Sequence, residues 1–527
     1  MKHLFYLSVC LAMLLLVNQS IAQDAVINIL HVNDTHSNLT PGGSRDENLR
    51  GTIGGIARAT SVIGAAMDQD DETLLLHAGD MFMGDLWFYL TYGMAELQWM
   101  KTMEFDAMTI GNHEFDLGTE NLIGVMMESL PENEIPLLSG NLTANTEFGE
   151  ILKVFTQPNT TLEVHGIKVG IFGMTSPDAN TTSLAGPDIT VAGGDPMEMM
   201  QLVAAQVEEL RTAGCQVVIF LSHLGFKYDS LVADNIPGIE VIIGGHDHFA
   251  FEEAVTINNT RIVQAGAFYE HIGSIQLNIK DGKLEDFKYS LIKLDENIPE
   301  YPDVKAELEQ FIESREAEIK ALFTQQIAEV GNTLSEFVPE VKTIGDKTTD
   351  VGCLITDAFR EFGQTDIGFT TCGLSAQPLY KGAIVSQDVV KMLGYGINEQ
   401  TGIGYNMATF SITGEGLMAG MQYCMLAVEG YGNDEFLPQL SGMSFKYDPL
   451  VEGYPITSVL VKGEPIDIQK TYTITSSIFV AMLLQSLEIP ISDFKEYPEF
   501  SDFMVLADYI IKKQYLEPGY RERVTTG

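Results

Sequence analysis

The sequence predicts an α/β protein of two domains, and three observations carry that expectation. The chain has 527 residues, too long for one ordinary core, and chains of that size usually split. From Ala25 to about residue 290, short apolar runs alternate with longer helical stretches, the pattern of a sheet covered by helices. Directly after several of those runs stand residues of the kind that bind metals.

In chain order, residues 1–22 stand apart. Leu4 to Val17 is almost wholly apolar, and Ser20-Ile21-Ala22 supplies small residues where a signal peptidase cuts. A secretory signal peptide cleaved after Ala22 is expected, with the protein exported to the periplasm or the extracellular space. No later run reaches the ~20 apolar residues of a membrane span, so no transmembrane segment is expected. The composition, 73 acidic against 30 basic residues and a formal net charge of −43, excludes nucleic acid as a partner because both surfaces would repel. An anionic substrate would need local positive charge, and bound metal is one source of it.

The apolar runs are Ala25–Val32, Thr73–His77, Ala107–Ile110, Ile135–Ser139, Ile167–Phe172, Gln216–Leu221, Ile239–Ile243 and Ile262–Gln264. Their near-continuous hydrophobicity is that of strands buried on both faces. Helical patterns at Gly55–Met67, Met83–Met103 and Pro196–Thr212 lie between them. Asn33-Asp34-Thr35-His36 follows the first run, Gly79-Asp80 the second and Gly111-Asn112-His113 the third. Ser222-His223 and Gly244-Gly245-His246-Asp247-His248 follow two of the later ones. Ligands of open α/β sheets gather outside the carboxyl ends of the strands, so five strand exits converge on one patch. The chain has ten histidines, and His36, His113, His223, His246 and His248 all fall at these exits. Two Asp, an Asn and this many imidazoles exceed what one ion can use. They suit two divalent ions ~3.5–4 Å apart sharing a carboxylate; Zn, Mn, Fe and Co all accept such ligands.

The segments Ile29-Leu30-His31-Val32-Asn33-Asp34-Thr35-His36, Gly54-Gly55-Ile56-Ala57-Arg58, Ala78-Gly79-Asp80, Gly111-Asn112-His113-Glu114-Phe115-Asp116, Ser222-His223-Leu224-Gly225 and Gly244–His248 resemble the calcineurin-like metallophosphoesterase domain of the 5′-nucleotidase and UDP-sugar hydrolase family. The resemblance implies a layered metallophosphoesterase sandwich over residues 23–298. It further implies that Asp80 bridges two metals, with Asp34, His36 and His248 on one and Asn112, His223 and His246 on the other. His113 would be the catalytic histidine, oriented by Asp116. The activity implied is hydrolysis of nucleotide or other phosphate esters by a metal-bridging hydroxide, with a small-molecule phosphate ester as substrate.

Residues 299–340 carry Val304, Leu308, Phe311, Ile312, Ile319, Leu322 and Phe323 at helical spacing, which predicts a connecting helix; the resemblance implies that this segment joins two domains and includes a hinge. From residue 341 the chain resembles the family's second, smaller α+β domain, beginning with Thr348-Thr349-Asp350-Val351-Gly352-Cys353. Its substrate pocket departs from the family. Typical members carry Asn-Gly-Gly-Gly-Ile-Arg where this chain has Thr371-Cys372-Gly373-Leu374-Ser375-Ala376, so Ala376 stands in place of a gripping arginine. The family's Gly-Gly-Asp-Gly turn is also replaced, by Ser476–Leu484. The substrate-binding residues are therefore unknown from the sequence. A thiosulfohydrolase-like enzyme of the same build and a non-catalytic scaffold are the alternative expectations, although a scaffold predicts lost ligands and every ligand position is filled. Cys353, Cys372 and Cys424 could pair in an oxidising compartment, which spacing alone leaves open.

Overall fold

A computed structural model describes residues 24–527 except Thr182, Leu184, Pro339, Gly432, Asn433 and Tyr520. The signal peptide expected at residues 1–22 lies outside the described residues. Strands β1 (Ala25–Val32), β2 (Leu74–His77) and β3 (Ala107–Thr109) run parallel to one another. They form the centre of a seven-stranded sheet, extended by Leu137–Leu138 and Thr156–Gln157 on one side and by the antiparallel pair His271–Lys280 and Lys283–Lys293 on the other. A second, six-stranded sheet is built on β4 (Ile167–Thr175), β5 (Val217–His223) and β6 (Val241–Gly244), also parallel.

The two sheets pack face to face, and the period-2 alternation of strand side chains assigns each residue its layer. In β1, Ile27 and Ile29 enter the layer between the sheets while Leu30 and Val32 face the helices outside. In β5, Val217, Ile219 and Leu221 point inward, whereas Val218 and Phe220 meet the helices Pro196–Thr212 and Phe226–Asn235. Both faces of the central parallel strands are buried, which is why those runs read as continuous apolar sequence. The layered α/β sandwich expected of the N-terminal half is the fold observed.

Three details differ from the sequence expectations. The stretch 83–103 is two helices, Leu86–Thr91 and Met94–Thr102, because Tyr92 and Gly93 both take left-handed backbone (φ 53° and 88°) that interrupts the ladder. The connecting segment is likewise two helices, Pro302–Glu313 and Ala317–Thr324, whose Phe311 and Phe323 close on Trp87 at ring separations of 4.7 and 5.9 Å. After them Gln326–Val330 is a strand paired with Gly382–Val385 and Tyr515–Leu516. Strand pairing with the C-terminal half thus takes in residues well before 341.

In the C-terminal half, β7 (Ile367–Thr371), β8 (Asn406–Thr413) and β9 (Thr471–Ser477) are the inner strands of a mixed five-stranded sheet. Helix α1 (Ser386–Leu393) packs beside the strand Gly382–Val385 and the helix Asp502–Lys513, while α2 (Gly414–Tyr431) and α3 (Ile478–Ser486) pack on the sheet. The halves are tied by buried polar contacts. Arg45 grips Asp388 with two donors at 2.7 and 2.6 Å, and Lys391 Nζ lies 3.3 Å from Asp85 Oδ2. Gln387 donates to Asp85, and Gln377 to Asn38. Cys215, Cys353, Cys372 and Cys424 are all buried free thiols. Among the described residues, no helix is long and apolar enough to cross a membrane.

Candidate metal centre

The exits of β1, β2, β3, β5 and β6 meet at one point. Asp34, His36, Asp80, His246 and His248 each have positive φ (50°, 48°, 57°, 81° and 60°). Such backbone is uncommon for residues other than glycine and clusters where the surrounding structure forces side chains toward a function. Glycine makes the close approach possible. A Cβ on Gly111 would stand 2.1 Å from Asp80 Oδ1, and one on Gly79, itself at φ +91°, would stand 2.6 Å from His223 Nδ1.

Two groups of donor atoms result, each set within 4.8 Å of one another: Asp34, His36 and His248, and Asp80, His223 and His246. His36 Nε2 lies 3.1 Å from His248 Nε2, which lies 3.7 Å from Asp34 Oδ1. His223 Nε2 lies 2.9 Å from Asp80 Oδ2 and 4.0 Å from Asp34 Oδ1, so the two groups adjoin. Asn112 joins the second group, its Oδ1 standing 3.1 Å from His246 Nδ1. The seven residues expected as metal ligands are thus brought together in one cluster.

The cluster suits divalent cations on its own chemistry. His36 Nδ1 and His223 Nδ1 face the carbonyl oxygens of Phe82 and Ala78 at 2.9 and 2.7 Å. This backbone bond is the one that sets a ligating histidine's tautomer and aims its other nitrogen at a metal. Nε2 of His223 is buried and faces the Asp80 carboxylate at 2.9 Å. Burial lowers the pKa of His248 to about 3, and burial with the neighbouring His248 holds His36 well below the usual range. Both are thereby kept neutral, as ligation requires. Burial pushes Asp34 up to about 7, with the adjacent Asp80 contributing; two carboxylates packed this closely call for compensating positive charge.

His113 sits at the rim, its backbone N–H donating to Asp80 Oδ1 at 2.9 Å and its Nδ1 2.6 Å from Asp116 Oδ2. Burial opposes its charge, but Asp116 and Asp80 outweigh burial and raise its pKa to about 9. Sequence reasoning missed three participants. Glu114 is buried and accepts backbone N–H bonds from Gly111 at 2.6 Å, Asp80 at 3.1 Å, Met81 at 2.8 Å and Phe82 at 3.2 Å, clamping the β2 and β3 exits together. Its place in the motif was visible; its job was not. Asp178, just past the end of β4, holds His246 Nε2 at 3.2 Å. Tyr395, following α1, stacks on His113 with ring centroids 4.8 Å apart and planes within 13°. No local signal in the sequence marks a residue that reaches the site from so far along the chain.

Residues 27–250 match the profile of the calcineurin-like phosphoesterase family, and residues 327–485 that of the 5′-nucleotidase C-terminal domain. The chain is 29% identical over 354 residues to the 5′-nucleotidase of Mus musculus, covering 63% of this chain and 59% of that protein. Its fold superposes on the 5′-nucleotidase precursor from Thermus thermophilus with a TM-score of 0.81 and 26% identity, covering 95% of this chain and 99% of the other. It also superposes on the sulfate thiohydrolase SoxB of the same organism with a TM-score of 0.77 at 18% identity, covering 95% and 96% of the two chains, a likeness of fold. The fold and the site together define a calcineurin-like metallophosphoesterase. With the C-terminal domain that follows it, the chain belongs to the 5′-nucleotidase family.

Proposed function

We propose that this protein is an exported, metal-dependent hydrolase of phosphate esters, nucleotides among the candidate substrates. The observation that carries the reading is the pair of adjoining ligand groups with the His113–Asp116 pair at their edge. Asp34, His36 and His248 would hold one divalent cation, and Asn112, His223 and His246 a second, with Asp80 between them. Bound there, such ions supply Lewis-acid charge to a phosphoryl group and make water acidic enough to serve as nucleophile near neutral pH.

The chain's own residues do the rest. Asp116 holds Nδ1 of His113 and fixes the ring, leaving Nε2 to deliver a proton to the departing oxygen. Glu114 keeps the Asp80 and Asn112 loops in register through its four backbone bonds. Tyr395 covers the His113 ring and limits water on that side. The signal peptide expected at residues 1–22 supports export.

The test is the mature chain from Gln23, loaded with manganese or zinc and assayed on 5′-AMP, UDP-glucose, 2′,3′-cyclic AMP and an aryl phosphate. His113→Ala is expected to lower kcat on whichever ester is turned over by ~10²–10⁴-fold while both metals stay bound. Equal rates in the two proteins would overturn the assignment of His113. No turnover of any ester with two metals bound would overturn the reading as a whole.

A further inference from the structure

The C-terminal half contains an apolar cavity whose enclosed part holds about 50 Å³, within about 620 Å³ of empty space when the open solvent beside it is counted. Phe369 of β7, Phe410 of β8 and Ile474 of β9 form its floor, and Met421 and Cys424 of α2 and Leu484 of α3 its walls, all buried. Among the described residues, no charged or amide side chain lines it; Thr371 and Tyr423 contribute the only side-chain hydroxyls. A site that recognises a nucleobase carries donors and acceptors matched to the ring edge, because a buried polar edge left unpaired opposes binding. This cavity offers almost none.

A path of neighbouring residues leads from its lining toward the metal centre. Leu374 of the lining is two residues from Ala376, a reach of at most ~7 Å of chain. Ala376 is packed against Gly394, where an added Cβ would stand 2.6 Å from the Ala376 Cβ. The next residue is Tyr395, stacked on His113. On the other side, Gly373 donates to the Glu435 carbonyl at 2.8 Å, tying the lining residue Phe436 to the same turn.

We propose that this cavity binds the hydrophobic alkyl or aryl group of a phosphate ester whose phosphate lies at the Asp34–Asp80 cluster. The proposal rests on the phosphohydrolase reading and narrows its substrate from nucleotides to esters of hydrophobic alcohols. The reaction is simple hydrolysis: water oxygen bonds to phosphorus, the ester P–O bond breaks, and the ester oxygen leaves with the bonding pair and one proton as the free alcohol. The cavity contributes binding energy at a distance from the reacting bond.

The full chain, supplied with Mn²⁺, is assayed on ethyl, butyl, hexyl and octyl phosphate, whose leaving alcohols have similar acidity. The expected result is a rise in kcat/KM of roughly fourfold per added methylene until the cavity is full. In Leu483→Glu, which sets a charge at the half-buried rim, and in Leu483→Trp, which plugs it with an apolar ring, that gain per methylene should fall toward onefold. N-phenyl-1-naphthylamine gives a reading independent of turnover: its fluorescence should rise with the chain in the absence of added metal and fall when octyl phosphate is added. Equal kcat/KM across the four esters, or a gain per methylene unchanged in both Leu483 variants, overturns the proposal and leaves the hydrolase reading standing. Turnover of 5′-AMP with none of the four alkyl esters hydrolysed overturns the proposal alone; no turnover of 5′-AMP, the aryl phosphate or any alkyl ester with metals bound removes both.

Discussion

Asp178 shows how much a single carboxylate can contribute without touching a metal. Its Oδ2 faces His246 Nε2 while Asn112 sits at the Nδ1 side of the same ring, so the imidazole is held from both edges. Burial opposes charge on His246, yet the Asp178 bond raises its pKa to about 10. Carboxylates placed behind a ligating histidine fix its ring and strengthen it as a ligand, and their removal typically costs ~10–100-fold in metal affinity. Asp178→Asn is therefore expected to weaken binding at the His223–His246 group by that factor in a chelator-competition titration, with the Asp34–His36–His248 group unaffected. Equal loss at both groups, or none, would contradict the role.

At the scale of elements, the strand exits explain both what the sequence discloses and what it hides. Asp34, His36, Asp80, Asn112, His223, His246 and His248 could be read because each immediately follows an apolar run, and topology then brings neighbouring exits together. Glu114 and Asp178 were hidden because their partners lie on other strands, and only the folded register shows which backbone groups a carboxylate meets. The helix break at Tyr92-Gly93 escaped for a related reason, since the hydrophobic pattern continues across it. Another such hidden group is Glu96 of the helix Met94–Thr102, which accepts from Thr35 and Tyr269 behind the β1 exit. Burial raises its pKa from 4.5 to about 8. The native state therefore keeps a proton that the unfolded chain gives up, so the group's contribution to stability is full below about pH 4.5 and is lost as pH rises toward 8, by at most ~1.4 kcal/mol per unit. Glu96→Gln, which stays neutral and can accept both bonds, should flatten the fall of Tm between pH 5 and pH 8. Parallel profiles for the two proteins would count against this account.

Across the whole molecule, the two halves are joined by polar contacts that few sequence rules would find, because the partners are hundreds of residues apart. Lys391 and Asp85 are 3% and 0% exposed and face each other at 3.3 Å, shielded from water. Removing one member of such a pair strands the other, at a cost of ~3–5 kcal/mol. Lys391→Met should lower the urea midpoint of the full chain accordingly, and adding Asp85→Asn should recover part of the loss by neutralising the stranded carboxylate. A double variant no more stable than the single one would show that the lysine acts through packing rather than charge. The general architecture was legible from alternating runs and helices. The joint between the halves was not, since it depends on which surfaces meet.

The four buried thiols have a practical consequence. No covalent staple joins the described residues, so their stability owes nothing to the oxidising power of the surroundings. A chain begun at Gln23 and made in a reducing cytosol should reach the same structure as one folded under oxidising conditions, with no need of disulfide-forming catalysts.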